Sequence, residues 1–292
     1  MTATLETPPR TRLRDGINHV AFSPDGQKVA YTDVHLNLYL PGGQTVSVNS
    51  PNEKARSSER VRDLVFAADG KSVFVASGDH IWRFDAESGQ ELWRFMPPRA
   101  WGFLVISPMS LAVSLTGRLA ASTDNGQLLL WDETQNLIAK VAANQPQKAL
   151  TFTTNREEIV GYESFAINRF DAQTGQKKSS FSLPEKAYSM AASPQGQFAG
   201  VRTLAQFLVL DTVAQRVVAK KPIEPGLPVV VCHPSKAVFA IGENYFVSLF
   251  DVSGKDVARF EVKGAEVLSV AFHPDGQLAI GRSDHTIDYH PF

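Results

Sequence analysis

Histidine beside carboxylate is the pairing in this sequence with the clearest capacity for chemistry. Seven histidines occur, His19, His35, His80, His233, His273, His285 and His290. Three of them stand next to an aspartate in the chain: His35 near Asp33, His80 after Asp79 and His285 after Asp284. An imidazole and a carboxylate that converge can hold a divalent metal or relay a proton. The same two residue types also serve as local hydrogen-bonders in turns. His233 and His273 each precede a proline, the setting of Ser23 in Ser23-Pro24-Asp25-Gly26, and read as turn positions. Cys232 follows Val229-Val230-Val231 and reads as a structural thiol. As the lone cysteine it excludes an intramolecular disulfide and suits a reducing compartment. There is no Gly-rich phosphate loop, cysteine pair or Gly-x-Ser-x-Gly elbow in the sequence. The expectation is therefore no catalytic residue, no resident metal and no cofactor.

The elements that would position these residues repeat. Ser23-Pro24-Asp25-Gly26 recurs as Ala68-Asp69-Gly70, Leu115-Thr116-Gly117, Thr154-Asn155-Arg156, Ser193-Pro194-Gln195-Gly196, His233-Pro234-Ser235-Lys236 and His273-Pro274-Asp275-Gly276. The intervals between successive turns are 44, 47, 39, 40, 40 and 40 residues. Proline presets one φ, Asp or Asn bonds its own backbone, and Gly takes the left-handed conformation. Alternating apolar residues flank each turn, so each unit opens as a β-hairpin. A second anchor follows about 15 residues later: Phe84-Asp85, Trp131-Asp132, Phe170-Asp171, Leu210-Asp211 and Phe250-Asp251. The large residue can wedge between sheets while the carboxylate accepts N–H groups of the next turn. Four short strands per unit, seven times, predict an all-β, seven-bladed β-propeller in one domain, 1–292. Units begin near residues 17, 61, 108, 148, 187, 227 and 267, and residues 1–14 have no unit of their own. Part of Thr2–Arg14 is expected to supply the outer strand of blade seven, where Pro8 and Pro9 are tolerable on a solvent edge.

These residues resemble the WD-repeat family over essentially the whole chain. Ala121-Ser122-Thr123-Asp124-Asn125-Gly126-Gln127-Leu128-Leu129-Leu130-Trp131-Asp132 is the best match, and Val-Ala-Phe-(Ser/His)-Pro-Asp-Gly at both ends looks like the family's first hairpin. No unit carries the family's Gly-His pair, and Pro41 and Pro291 replace the closing aspartate in units one and seven, so the member is degenerate. The resemblance implies protein interaction. Locally, Phe84-Asp85-Ala86-Glu87-Ser88-Gly89-Gln90-Glu91-Leu92-Trp93 is similar to the tryptophan-docking motif of quinoprotein-like propellers, echoed at Phe170–Gln176 without the tryptophan. That similarity implies an eight-bladed secreted enzyme. Seven units and an N-terminus with neither a basic start nor an apolar stretch point away from it.

Composition narrows the function. Lys+Arg at 29 against Asp+Glu at 30 gives a net charge of -1, which argues against a general nucleic-acid binder. No apolar run approaches the ~20 residues of a membrane span, and the expected location is cytoplasmic. Within a propeller, equivalent loops on adjacent blades stand ~10 Å apart, far beyond metal–ligand bonds of ~2 Å. The Asp/His loops of units one, two and seven are therefore poorly spaced to share an ion.

Departures from the regular spacing carry the interaction reading. Between the first units lies Asn49–Arg60, with Lys54, Arg56 and Arg60 and with Arg62 just beyond: a solvated basic loop or a contact for an acidic partner. Between the next lies Met96–Ile106, whose Arg99, Trp101 and Phe103 are either packed over the propeller end or anchors for a partner. Tyr162 and Tyr245 would widen the same platform. The sequence thus predicts a non-enzymatic scaffold or complex subunit that binds a protein partner with an acidic segment. The rival is a channel-mouth hydrolase or lyase, or a propeller that binds a small ligand or peptide.

Overall fold

The computed structural model describes residues 17–33, 35–49, 60–97, 106–143, 145–153, 158–224, 226, 229–284 and 286–292. Seven antiparallel sheets stand in a ring: a seven-bladed β-propeller. First strands begin at Ile17, Val61, Pro108, Ala149, Ser189, Val230 and Val267. Six sheets have four strands in sequence order, and blade seven shows three among the described residues: Val267–Phe272, Leu278–Arg282 and Ile287–His290. Each first strand packs against the next, and that of blade seven against that of blade one. Ring closure is visible in the side chains too. Phe22 meets His273 edge-on at 5.0 Å, and Ile17 and Tyr31 pack with Ile287.

Burial follows from this geometry. The third strands Gln206–Asp211 and Ala166–Asp171 are buried along almost their whole length, the first as a near-continuous apolar run and the second with Asn168 and Arg169 buried among its apolar residues. The outer strands Lys177–Ser182 and Arg216–Pro222 alternate between exposed and half-buried residues. Phe84, Trp131, Phe170, Leu210 and Phe250 are buried wedges, as their repeat position requires. The aspartate after each accepts N–H groups of its own turn: Asp171 from Gln173 and Thr174, both at 2.9 Å, and Asp85 from Ser88 at 2.8 Å. The Thr174 N–H first, then Lys178, hold the Asp171 carboxyl down to about 2.

The hairpin turns also lock blade to blade. Gly26 has φ 71°, and its N–H bonds Ser23 O at 2.9 Å. A Cβ there would sit 2.4 Å from the His273 ring of blade seven, so only glycine admits this approach. His273 lies between Asp275 and Gly26, its Nδ1 2.5 Å from the Asp275 carboxylate and its Nε2 2.6 Å from Gly26 O. His233 and His273 are thus turn residues, His273 acting as a pin between blades.

The expected closing strand, Thr2–Arg14, lies outside the described residues. What the structure does show is Ile287–His290 bonded on one side only, to Leu278–Arg282, among the described residues. An open strand edge of this kind calls for a partner. Deleting residues 1–14 is expected to lower the thermal midpoint, read by circular dichroism; an unchanged midpoint would discard the clasp.

Candidate interaction face

One end of the ring carries the turns between second and third strands and the connections that leave the fourth. Backbone hydrogen bonds stitch the two together in every blade from three to six. Ala143 N–H bonds Gly126 O at 2.7 Å, Leu183 N–H bonds Phe165 O at 2.7 Å, Ile223 N–H bonds Ala205 O at 3.1 Å, and Val262 N–H bonds Tyr245 O at 2.7 Å. Side chains on these turns are therefore held on a rigid frame. In blades four, five and six the turns present Phe165, Leu204 and Tyr245, which are 58%, 76% and 49% exposed. Tyr188, at the start of blade five's inner strand, is also exposed. Single exposed apolar residues are ordinary, whereas a run on three adjacent blades at the same turn is a patch.

Five of the nine sequence-predicted contact residues, Lys54, Arg56, Arg99, Trp101 and Phe103, lie outside the described residues. Arg60 is exposed. Arg62 is half-buried between blades two and three, its Nη1 3.5 Å from Met109 Sδ, and burial first and then the Arg60 charge lower its pKa. Tyr245 is on the face, its hydroxyl 3.5 Å from Glu266. Tyr162 is not. It lies on the second strand Glu158–Glu163, is 2% exposed, and donates its hydroxyl to Tyr188 O at 2.6 Å. Burial pushes its phenol well above the usual range.

The Asp/His loops are occupied by their own turns. Asp33 accepts the N–H groups of His35 and Asn37, both at 2.9 Å, the Asn37 amide at 2.8 Å and the Tyr39 hydroxyl at 3.0 Å. Asp79 meets His80 Nδ1 at 2.6 Å, and that ring stacks on Trp82 at 5.0 Å. Asp284 accepts from Thr286 and pairs with Arg282 at 2.9 Å. His285 lies outside the described residues, and among those described no three His, Cys, Asp or Glu side chains gather as metal ligands. Burial pushes the Cys232 thiol up to about 12, which favours the protonated thiol at neutral pH.

A polar belt around the inner strands had no counterpart in the sequence reading. Asp63 accepts the Leu111 N–H of the next blade at 2.7 Å and the Ser110 hydroxyl at 3.1 Å. Ser110 accepts the Leu150 N–H at 3.1 Å, and Ser189 the Val230 N–H at 3.1 Å. Burial raises the Asp63 carboxyl and lowers the neighbouring His19, each partly restored by the other's charge. These groups tie blade to blade rather than face a ligand. The signal was a polar residue inside an otherwise alternating apolar inner strand.

Fold and face together define a repeat-built β-propeller with a rigid, partly apolar end. A family model described as "WD domain, G-beta repeat" matches residues 254–287. That span runs from the last strand of blade six into the third strand of blade seven, so the sequence repeat straddles two blades. A second model, described as "Outer membrane protein assembly factor BamB", matches residues 79–222, from blade two to the last strand of blade five. It covers both segments read as quinoprotein-like. The chain thus carries both resemblances, to WD repeats and to that second class of propeller repeat. Comparison with curated proteins gives no match. Among the described residues no helix is long and apolar enough to cross a membrane.

Proposed function

We propose that the protein is a non-enzymatic interaction platform, a scaffold or a subunit of a larger assembly, working in the cytoplasm. A protein partner would bind the end of the ring that carries the stitched turns. The observation that supports this is the run of exposed Phe165, Leu204 and Tyr245 on three consecutive blades. WD-repeat propellers generally mediate protein interactions, and the second matching family model is described as an outer membrane protein assembly factor. The basic connection with Lys54, Arg56, Arg60 and Arg62, and the one with Arg99, Trp101 and Phe103, would extend the contact across blades one to three.

The test is affinity capture from the native lysate with wild type beside Trp101→Ala/Phe103→Ala. A stoichiometric partner held by wild type and lost by the folded double variant is expected. Capture by both variants alike would remove those two anchors. No partner with either protein would sink the platform reading and turn attention to small ligands at the channel mouth.

A further inference from the structure

The exposed residues of blades four and five are joined into an arc. Ala187 N–H bonds Ser164 O at 2.7 Å, which places Lys186 and Tyr188 beside the Phe165 turn. Tyr188 N–H bonds Arg202 O at 2.8 Å, which brings Tyr188 to the Leu204 turn. On blade five, between its turn and the connection that leaves it, lies a groove of about 460 Å³, lined by Tyr188, Arg202, Thr203, Leu204, Ala205 and Ile223. Its walls are apolar, and its floor is a cation already engaged. Arg202 is 2% exposed and donates to Gly242 O and Glu224 O, both at 2.9 Å. The groove therefore offers an apolar seat and no free guanidinium, with room for one large side chain.

The charge next to that seat is uncompensated. Lys186 Nζ lies 5.2 Å from the Tyr188 ring centroid. Lys148, just before the first strand of blade four, bonds its N–H to Tyr162 O at 2.8 Å, and the Tyr162 hydroxyl bonds Tyr188 O at 2.6 Å. The lysine therefore starts beside the same junction, and burial and then the Lys186 charge lower its pKa. Neither lysine has a carboxylate within ion-pair distance among the described residues, although Lys28, Lys178 and Lys221 are all so paired. Glu224, next in the chain to the lining residue Ile223, is exposed. Positive charge beside the Tyr188 lining and a carboxylate next to the Ile223 lining give the groove two electrostatically distinct borders.

We propose, building on the interaction reading, that this groove takes a short segment of a protein partner: one large apolar side chain between Tyr188, Leu204 and Ile223, with an acidic residue beside it facing Lys148 and Lys186. A segment acidic on both sides of the anchor binds less well, because its second carboxylate meets Glu224.

The probe is a random peptide library displayed on phage, selected on wild type with Leu204→Glu as the counter-selection. Selected sequences are then synthesised with a fluorophore and titrated against wild type, Leu204→Glu and Lys148→Glu/Lys186→Glu. Leu204 and Lys186 are exposed and Lys148 is half-buried, and equal thermal midpoints certify that the variants fold. Expected peptides carry Trp, Phe or Leu with Asp or Glu close on one side. Their affinity falls about tenfold or more in Leu204→Glu and about three- to tenfold in the lysine reversal. Peptides that bind Leu204→Glu as tightly as wild type, or a failure to select any, overturn the groove while the lysate capture still decides the platform reading. Peptides without acidic residues that ignore the lysine reversal overturn the acidic partner.

Discussion

Arg169→Met is expected to destabilise the protein by about 3 kcal/mol, at the lower end of what breaking a buried ion pair costs. Arg169 is 6% exposed and donates Nε–H to Glu158 at 2.9 Å, with Nη2 on the same oxygen. Its Nη1 reaches across to blade five, to Gly196 O at 3.2 Å and Thr212 Oγ1 at 2.6 Å. Removing the guanidinium strands the Glu158 carboxylate, which among the described residues keeps Lys178 at 3.4 Å, and also unfastens two blades. The decisive comparison is with Arg83, which holds the same place in blade two. Arg83 donates to the neutral Ser72 at 2.8 Å and Gln135 at 2.7 Å, and its carboxylate partner Asp69, at 3.9 Å, is solvent-exposed rather than buried. Arg83→Met should cost about 1 kcal/mol, the scale of ordinary hydrogen bonds. Adding Glu158→Gln to Arg169→Met should recover part of the loss, since the stranded charge is then gone. Urea midpoints at constant m-value report all three. Equal costs for Arg169 and Arg83 would show that charge burial is not what matters at this joint.

Everything that was local in this fold was legible in the sequence. The hairpin turns and the Phe-Asp or Trp-Asp anchors are decided by residues within a few positions of one another, and they repeat, so blade number and strand order followed. The two tyrosines show where that legibility stopped. Tyr162 and Tyr245 both stand near turns between second and third strands. Aligned on the 40-residue period, however, Tyr245 matches Ala205 and the exposed Phe165, while Tyr162 matches the buried Arg202 and Gly242. The repeat itself therefore held the information that one tyrosine faces solvent and the other the core. It also held the exposed run, because Phe165 and Tyr245 share one register. The inner belt of Asp63, Ser110 and Ser189 is of another kind. Its bonds join residues 40 or more positions apart, and they exist only because the ring sets each first strand beside the next. No spacing within a single unit announces them.

The largest single loss should come from Trp131→Ala, about 3–5 kcal/mol. Trp131 ends the third strand Gln127–Trp131 and is 1% exposed. It meets Trp93 at 5.8 Å and 87° and Phe95 at 5.0 Å and 79°, both from the outer strand of blade two. Two edge-on aromatic pairs and a fully desolvated indole therefore converge on one gap between blades. Truncation forfeits the transfer energy and both pairs, and it leaves a cavity that β-strands fixed at both ends cannot collapse to fill. For a domain of this size the thermal midpoint should fall by roughly 10 °C. Trp93→Ala should cost less, because Trp93 is half-buried and the outer strand can shift. In a closed ring each blade leans on two neighbours, so a weakened joint between blades two and three should lower one cooperative transition. Trp82 lies on the blade-one side of blade two, away from the cavity, and the summed fluorescence of the three remaining tryptophans, Trp82, Trp93 and Trp101, should follow the same curve as the far-ultraviolet circular dichroism. Two separated transitions would mean that the blades unfold as independent neighbours and that closure contributes little.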